Sequence, residues 1–165
     1  EQRTKFGMVT SEMANFREVI RQGYKDSYAV NKVTGFMLKN GVTGVMPDFQ
    51  LDYTILPLAA GSLPGAGEVS AVPDDLSGGI KLTWDTVLSV LGVAASDTDI
   101  VSVVAFNETA KMCILESDVA SRSEGTAVVA VPEGWMGGNI HVWMYLSRED
   151  GSVNSDSSYA GNVQL

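Results

Sequence analysis

The sequence predicts an α+β protein, a helical hairpin followed by a β-sandwich of seven strands. Three observations carry that reading: a 3–4 apolar spacing confined to the front of the chain, a change to two-residue alternation near Phe49, and a series of short apolar runs separated by turn residues behind it. Hydrophobic residues make up 45% of the 165 residues and charged ones 19%, enough apolar matter for a packed core and too much for a disordered chain. Charge divides the chain at the same place. Residues 1–60 hold seven Lys and Arg against six Asp and Glu, whereas residues 61–165 hold four against fourteen. Segments 1–48 (helical hairpin), 49–66 (a strand and a Gly/Pro connector) and 67–165 (sandwich) follow from these shifts.

Phe6, Val9, Met13, Phe16, Ile20 and Tyr24 recur every three or four residues and form one face of a helix. Lys25-Asp26-Ser27 offers a break and a fresh N-cap. Val30, Val33, Phe36, Met37 and Leu38 predict a second helix closed by Lys39-Asn40-Gly41, with Gly41 able to take the left-handed conformation. Two helices cannot bury both apolar faces alone. The hairpin must therefore lean on the rest of the chain, on a preceding segment or on another copy, and self-association through it is one expected partner mode.

Phe49, Leu51, Tyr53 and Ile55 alternate with polar residues as in a half-buried strand. Pro57 and Gly61-Ser62-Leu63-Pro64-Gly65 then mark a connector. Further strands are predicted at Glu68–Val72, at Ile80-Leu82-Trp84, at Ile100–Phe106, at Met112–Leu115 as a short lateral strand, at Ala127–Val131, at Ile140–Leu146 and at Ser158–Leu165. Ile100–Phe106 and Ile140–Leu146 are apolar on both faces and read as central. Seven such strands with a tryptophan in the second resemble a fibronectin type III or immunoglobulin-like sandwich. The single cysteine, Cys113, excludes an intrachain disulfide and favours the fibronectin-like version.

Composition excludes several functions. A net charge of −9 argues against sequence-independent nucleic-acid binding. No run approaches the roughly 18 apolar residues of a membrane helix. One histidine rules out a multi-histidine metal site. Gly78-Gly79 and Gly137-Gly138 lack the helix and lysine of a phosphate-binding loop, so no cofactor is expected.

The candidate sites are few. His141 is the only side chain suited by its intrinsic pKa to proton transfer at neutral pH, yet it reads as a packed or half-exposed sheet residue in phase with Trp143 and Tyr145. Cys113, within Met112-Cys113-Ile114-Leu115, reads as a small hydrophobe. Asp97-Thr98-Asp99 and Glu149–Asp156 carry oxygens that a calcium ion could use, the second without the terminal glutamate of an EF-hand loop. Trp84 and Trp143 read as sandwich core. Trp135, with Met136 on a Gly-rich loop, either folds inward or presents a platform to a glycan. Leu88–Ala95 is too apolar for a solvated loop; it either packs internally or, with Leu88, Val90, Leu91 and Val93, forms a contact surface alongside Trp135 and Met136. The expected function is thus non-catalytic: an interaction or structural protein acting through protein–protein contacts, such as an assembly subunit of a phage-like or cell-surface structure. A glycan-binding module is the alternative, and a hydrolase a more distant one.

Several strings point to one family. Arg3-Thr4-Lys5-Phe6-Gly7, Leu38–Gly44, Gly61–Gly65, Ser121–Thr126, Ile140-His141-Val142-Trp143, Ser147–Gly151 and Ser158–Gly161 resemble the signposts of an uncharacterised Bacteroidetes family, the domain-of-unknown-function family 6266. The resemblance spans nearly the whole chain. It implies a further N-terminal stretch rich in glycine and basic residues, consistent with a chain that begins at Glu1, and it implies no activity and no catalytic residues. Leu88–Ala95 departs from it in being more apolar than a loop between the second and third strands should be.

Overall fold

The structure, a computed structural model, describes residues 1–88 and 95–165. The described residues form an α+β fold: three helices at the front, then three antiparallel sheets. The helices are α1 (Gln2–Ala14), α2 (Arg17–Tyr24) and α3 (Ala29–Asn40). The single helix expected through Tyr24 is two. At the junction Asn15 N–H donates to the Glu12 carbonyl and Phe16 N–H to that of Met13, three-residue bonds that tighten and end α1. The apolar spacing survives the break because Val9, Met13, Phe16 and Ile20 are all buried on either side of it. Lys25 takes the left-handed conformation (φ 53°) after α2, and Asp26 then accepts the Tyr28 N–H to turn the chain into α3. Gly41 ends α3 as expected but at φ −102°, outside the left-handed region.

The strand expected over Phe49–Ile55 is mostly not one. Only β2 (Gln50–Leu51) forms, paired with β1 (Val42–Thr43), and Tyr53–Ile55 coil into a 3-10 turn. Asp52 accepts the Thr54 N–H and caps that turn, which buries Tyr53 while leaving Ile55 exposed. The cap outcompetes the alternation.

Seven strands follow: β3 (Ser70–Pro73), β4 (Ile80–Thr83), β5 (Ile100–Asn107), β6 (Met112–Ser121), β7 (Thr126–Val129), β8 (Asn139–Ser147) and β9 (Ser158–Gln164). They form a three-stranded sheet, β3-β4-β7, and a four-stranded sheet, β6-β5-β8-β9. β6 runs well beyond the expected Met112–Leu115. Its second half, Glu116–Val119, is polar and irregular: Asp118 has φ 56° and the pairing with β5 slips between Val101 and Val103. A bulge of that kind hides a strand from two-residue periodicity.

The apolar side chains gather in two cores. One joins Ile80, Leu82, Ala127 and Val129 of the three-stranded sheet to Val101, Val103, Ala105, Ile140, Val142, Met144 and Leu146 of the four-stranded sheet. The other joins Val9, Met13, Phe16, Ile20, Val33 and Met37 of the helices to Val104, Phe106, Trp143 and Tyr145. The four-stranded sheet is therefore covered on both faces, which is why β5 and β8 are apolar on both. The helices lean with one face on the chain's own sheet.

Candidate functional site

Two features outside the ordinary core merit description, a closed polar cluster beneath the helices and an open groove above them. The first grows from the alternation of β8. Ile140, Val142, Met144 and Leu146 face the three-stranded sheet, and His141, Trp143 and Tyr145 face the helices. Trp143 is fully buried, in the helix-facing core and not between the two sheets. Its Nε1 has no hydrogen-bond partner among the described residues and lies among the rings of Phe16, Tyr159 and His141.

His141 is almost wholly buried. Its Nδ1 is 2.8 Å from Tyr159 Oη and its Nε2 is 2.9 Å from Glu108 Oε2. The Tyr53 ring covers the imidazole at 4.5 Å. Tyr53 Oη donates in turn to Glu12 Oε2 at 2.9 Å, and the other Glu12 oxygen pairs with Lys111 Nζ at 2.8 Å. Asn139 Nδ2 also donates to Glu108 Oε2. The cluster thus runs from α1 through the 3-10 turn to β8, β9 and the β5–β6 turn. Burial first, and then the charges of Asp52 and Glu108, push the Tyr159 phenol up to about 12. Burial and then Glu12 push Tyr53 up as well. Both phenols keep their protons at neutral pH. A neutral imidazole with its proton on Nε2 satisfies every partner: Nε2–H donates to Glu108, and Tyr159 donates to Nδ1.

Chemically this arrangement ties things together. Both ring nitrogens are engaged and one face is covered, so the ring is held as a buttress between helix layer and sheet. Cys113 is not within reach of it. Cys113 and His141 both pair with Phe106, from opposite sides, which sets them two strands or about 10 Å apart. Burial pushes the thiol up to about 12, so it is a poor nucleophile.

The acidic loops are tied down by hydrogen bonds, with Asp99 buried and Asp97, Glu149, Asp150 and Asp156 exposed. Asp99 is buried and accepts from Arg122 Nε at 3.0 Å and from the Ser96 N–H. Asp150 accepts the Ser152 N–H, Asp156 accepts the Gly61 N–H, and Asn154 donates to the carbonyls of Gln22 and Gly23 at the end of α2. Among the described residues no three His, Cys, Asp or Glu side chains are grouped to hold a metal ion. Trp135 takes the inward course: it is 3% exposed within the core shared by the two sheets, while Met136 beside it is 66% exposed. With Trp84 donating its Nε1–H to the Arg122 carbonyl from a buried position, none of the three tryptophans offers an exposed face to a sugar. Leu88 is half-buried, and Val90, Leu91 and Val93 lie outside the described residues.

The second feature is on the outward side of the helices. A groove of about 340 Å³ runs between α1 and α3, lined by Phe6, Met13, Ala14, Val30 and Leu38 together with Arg17. Phe6 and Phe36, expected in the hairpin's apolar face, are 57% and 41% exposed. Gly7 of α1 and Gly35 of α3 have nothing within 4 Å of where a Cβ would stand.

The strings that carried the resemblance meet one another in space. Arg122 donates to the carbonyls of Pro64 and Gly65, and His141 meets Tyr159. A family model, described as a family of unknown function (DUF6266), matches residues 1–161. The chain belongs to this family. No curated protein and no solved structure matches it. Within this DUF6266 chain the Ser121–Thr126 string is a compact turn: Ser121 and Glu124 form a reciprocal capping box and Gly125 takes φ 72°. Glu12, Tyr53, Glu108, Lys111 and Tyr159 were not legible as a cluster with His141, since four separate elements bring them in. The one available signal for the groove was the surplus of apolar residues on the two predicted helices.

Proposed function

We propose that this chain is a non-catalytic interaction or structural protein that works through protein–protein contacts, as a subunit of a larger assembly such as a phage-like or cell-surface structure. The observation that supports this most directly is the α1/α3 groove. The helices cover the sheet with one face and still present Phe6 and an apolar channel outside it. The engagement of the buried polar groups Asp99, Arg122, His141 and Asn154 within the fold fits the same reading. His141, the one neutral-pH acid–base candidate, holds the layers together.

The same reading takes β3–β9 as a seven-stranded, fibronectin-like sandwich. What supports it is the three-plus-four division around one core and the place of β6 beside β5, where an immunoglobulin constant-type order would put the fourth strand next to β7.

A photo-crosslinking phenylalanine analogue placed at Phe6 tests the function. In cells that make the protein, a discrete protein adduct is expected, and it should vanish when Val30 is replaced by Asp. Turnover of a small molecule by the purified chain, lost in His141→Gln, would overturn the reading.

A further inference from the structure

Charge is distributed unevenly between the layers. Residues 1–40, the three helices, carry seven Lys and Arg against four Asp and Glu; residues 41–165 carry four against sixteen. Of the helix cations, Lys32 alone has a carboxylate partner among the described residues. The molecule is a basic layer on an acidic body. Two copies meeting helix to helix, or sheet to sheet, bring like charges together. A helix layer meeting the far side of another copy brings opposite charges together.

The far side offers something to seat in the groove. The turn joining β3 to β4 carries Leu76, 98% exposed, directly after Asp74 and Asp75. Met136, 66% exposed, has its sulfur beside Gly78 of the same turn, and the exposed Glu133 lies three residues before it. The turn itself is fixed, since Asp74 accepts the Ser77 N–H and the Asp74 carbonyl accepts the Gly78 N–H. A rigid apolar tip flanked by carboxylates stands at one side of the molecule, and a largely apolar groove with Arg17 in its lining lies on the layer at the other.

We propose that a second copy of this chain is the groove's occupant: the β3–β4 tip of one copy, Leu76 and Met136, seats between α1 and α3 of the next. The inference rests on the protein-contact reading above and names its partner. Tip and groove belong to different layers, so the contact is head-to-tail and each added copy leaves a free tip and a free groove. The product is an open-ended row and not a closed two-fold dimer.

Two variants test this without touching the core. Leu76→Asp changes a side chain that is already in water, and Gly35→Leu places bulk in the groove where a Cβ meets nothing and helix propensity improves. In sedimentation velocity the natural chain should form a ladder of species growing with concentration and weakening about tenfold or more between about 50 mM and about 500 mM salt. Each variant alone should stay monomeric. Mixed, they should form a two-chain complex and nothing larger, because only the intact groove of the Leu76→Asp chain and the intact tip of the Gly35→Leu chain can meet. A natural chain that stays monomeric, a salt-insensitive dimer, or variants that associate like the natural chain would each overturn the proposal. Failure here together with a foreign adduct at Phe6 leaves the protein-contact reading standing; failure of both experiments removes that reading too.

Discussion

Arg122 and Asp99 form a buried ion pair, with Nη2 and Nε at 2.9 and 3.0 Å from one carboxylate oxygen and both side chains almost wholly out of water. The guanidinium spends its remaining donors on the Pro64 and Gly65 carbonyls. One side chain thus fixes the connector to the turn before β7 and to the start of β5. Removing either partner strands the other charge in the core. Arg122→Ala should destabilise the fold by about 3–5 kcal/mol, read from the midpoint of urea unfolding; a loss below about 1 kcal/mol would mean the pair is wetter than its geometry says.

Glycine gives a matched set of opposite signs. A Cβ at Gly61 would stand 1.9 Å from the Asn154 carbonyl oxygen, and one at Gly23 would stand 2.2 Å from that of Leu58. Both neighbours are backbone and cannot step aside cheaply, so Gly61→Ala and Gly23→Ala should each cost about 1–3 kcal/mol or more. Gly7 and Gly35 sit in helices with open space around them. There the same change should stabilise by about 0.5–1 kcal/mol. Thermal unfolding of the four variants distinguishes the two pairs.

The phenols set an alkaline limit. Tyr159 and Tyr53 are both raised by burial, so the folded state holds their protons more tightly than the unfolded chain does. Their contribution is complete below the ordinary tyrosine value near 10 and is lost as pH rises through the folded value, about 12 for Tyr159. Stability should fall between those limits, and Tyr159→Phe should flatten the fall. Ultraviolet titration of tyrosinate at fixed stability checks the same point: Tyr159 should be missing from the groups that ionise near 10.

Cys113 should be slow to modify. Its thiol sits at about 12 on a half-buried strand position. A disulfide reagent at pH 8 should react at least about tenfold more slowly than with the chain in denaturant. Equal rates would place the thiol in solvent.

Much of the layout could be read before any coordinates, for identifiable reasons. β5, β8 and β9 are long and bounded by turn residues, and α3 ends where Gly41 stands. The misreadings come from local polar groups overruling a periodic pattern. Asp52 curls Tyr53–Ile55 into a turn, and the slip near Asp118 conceals half of β6. The candidate site was harder. His141 was visible as the lone histidine, but Glu12, Tyr53, Glu108 and Tyr159 are gathered around it from separate elements between α1 and β9, and no spacing rule connects them. Trp143 was recognised as buried, while the identity of its cover depended on which side of β8 the helices chose.

The helices dock on β8 and are tied to Tyr159 of β9 through His141 and Tyr53. In chain order α1–α3 come before β5, β8 and β9, so during synthesis they are made ahead of the sheet that covers them. Until those strands follow, Phe16, Ile20 and Met37 stand open to whatever holds nascent chains apart.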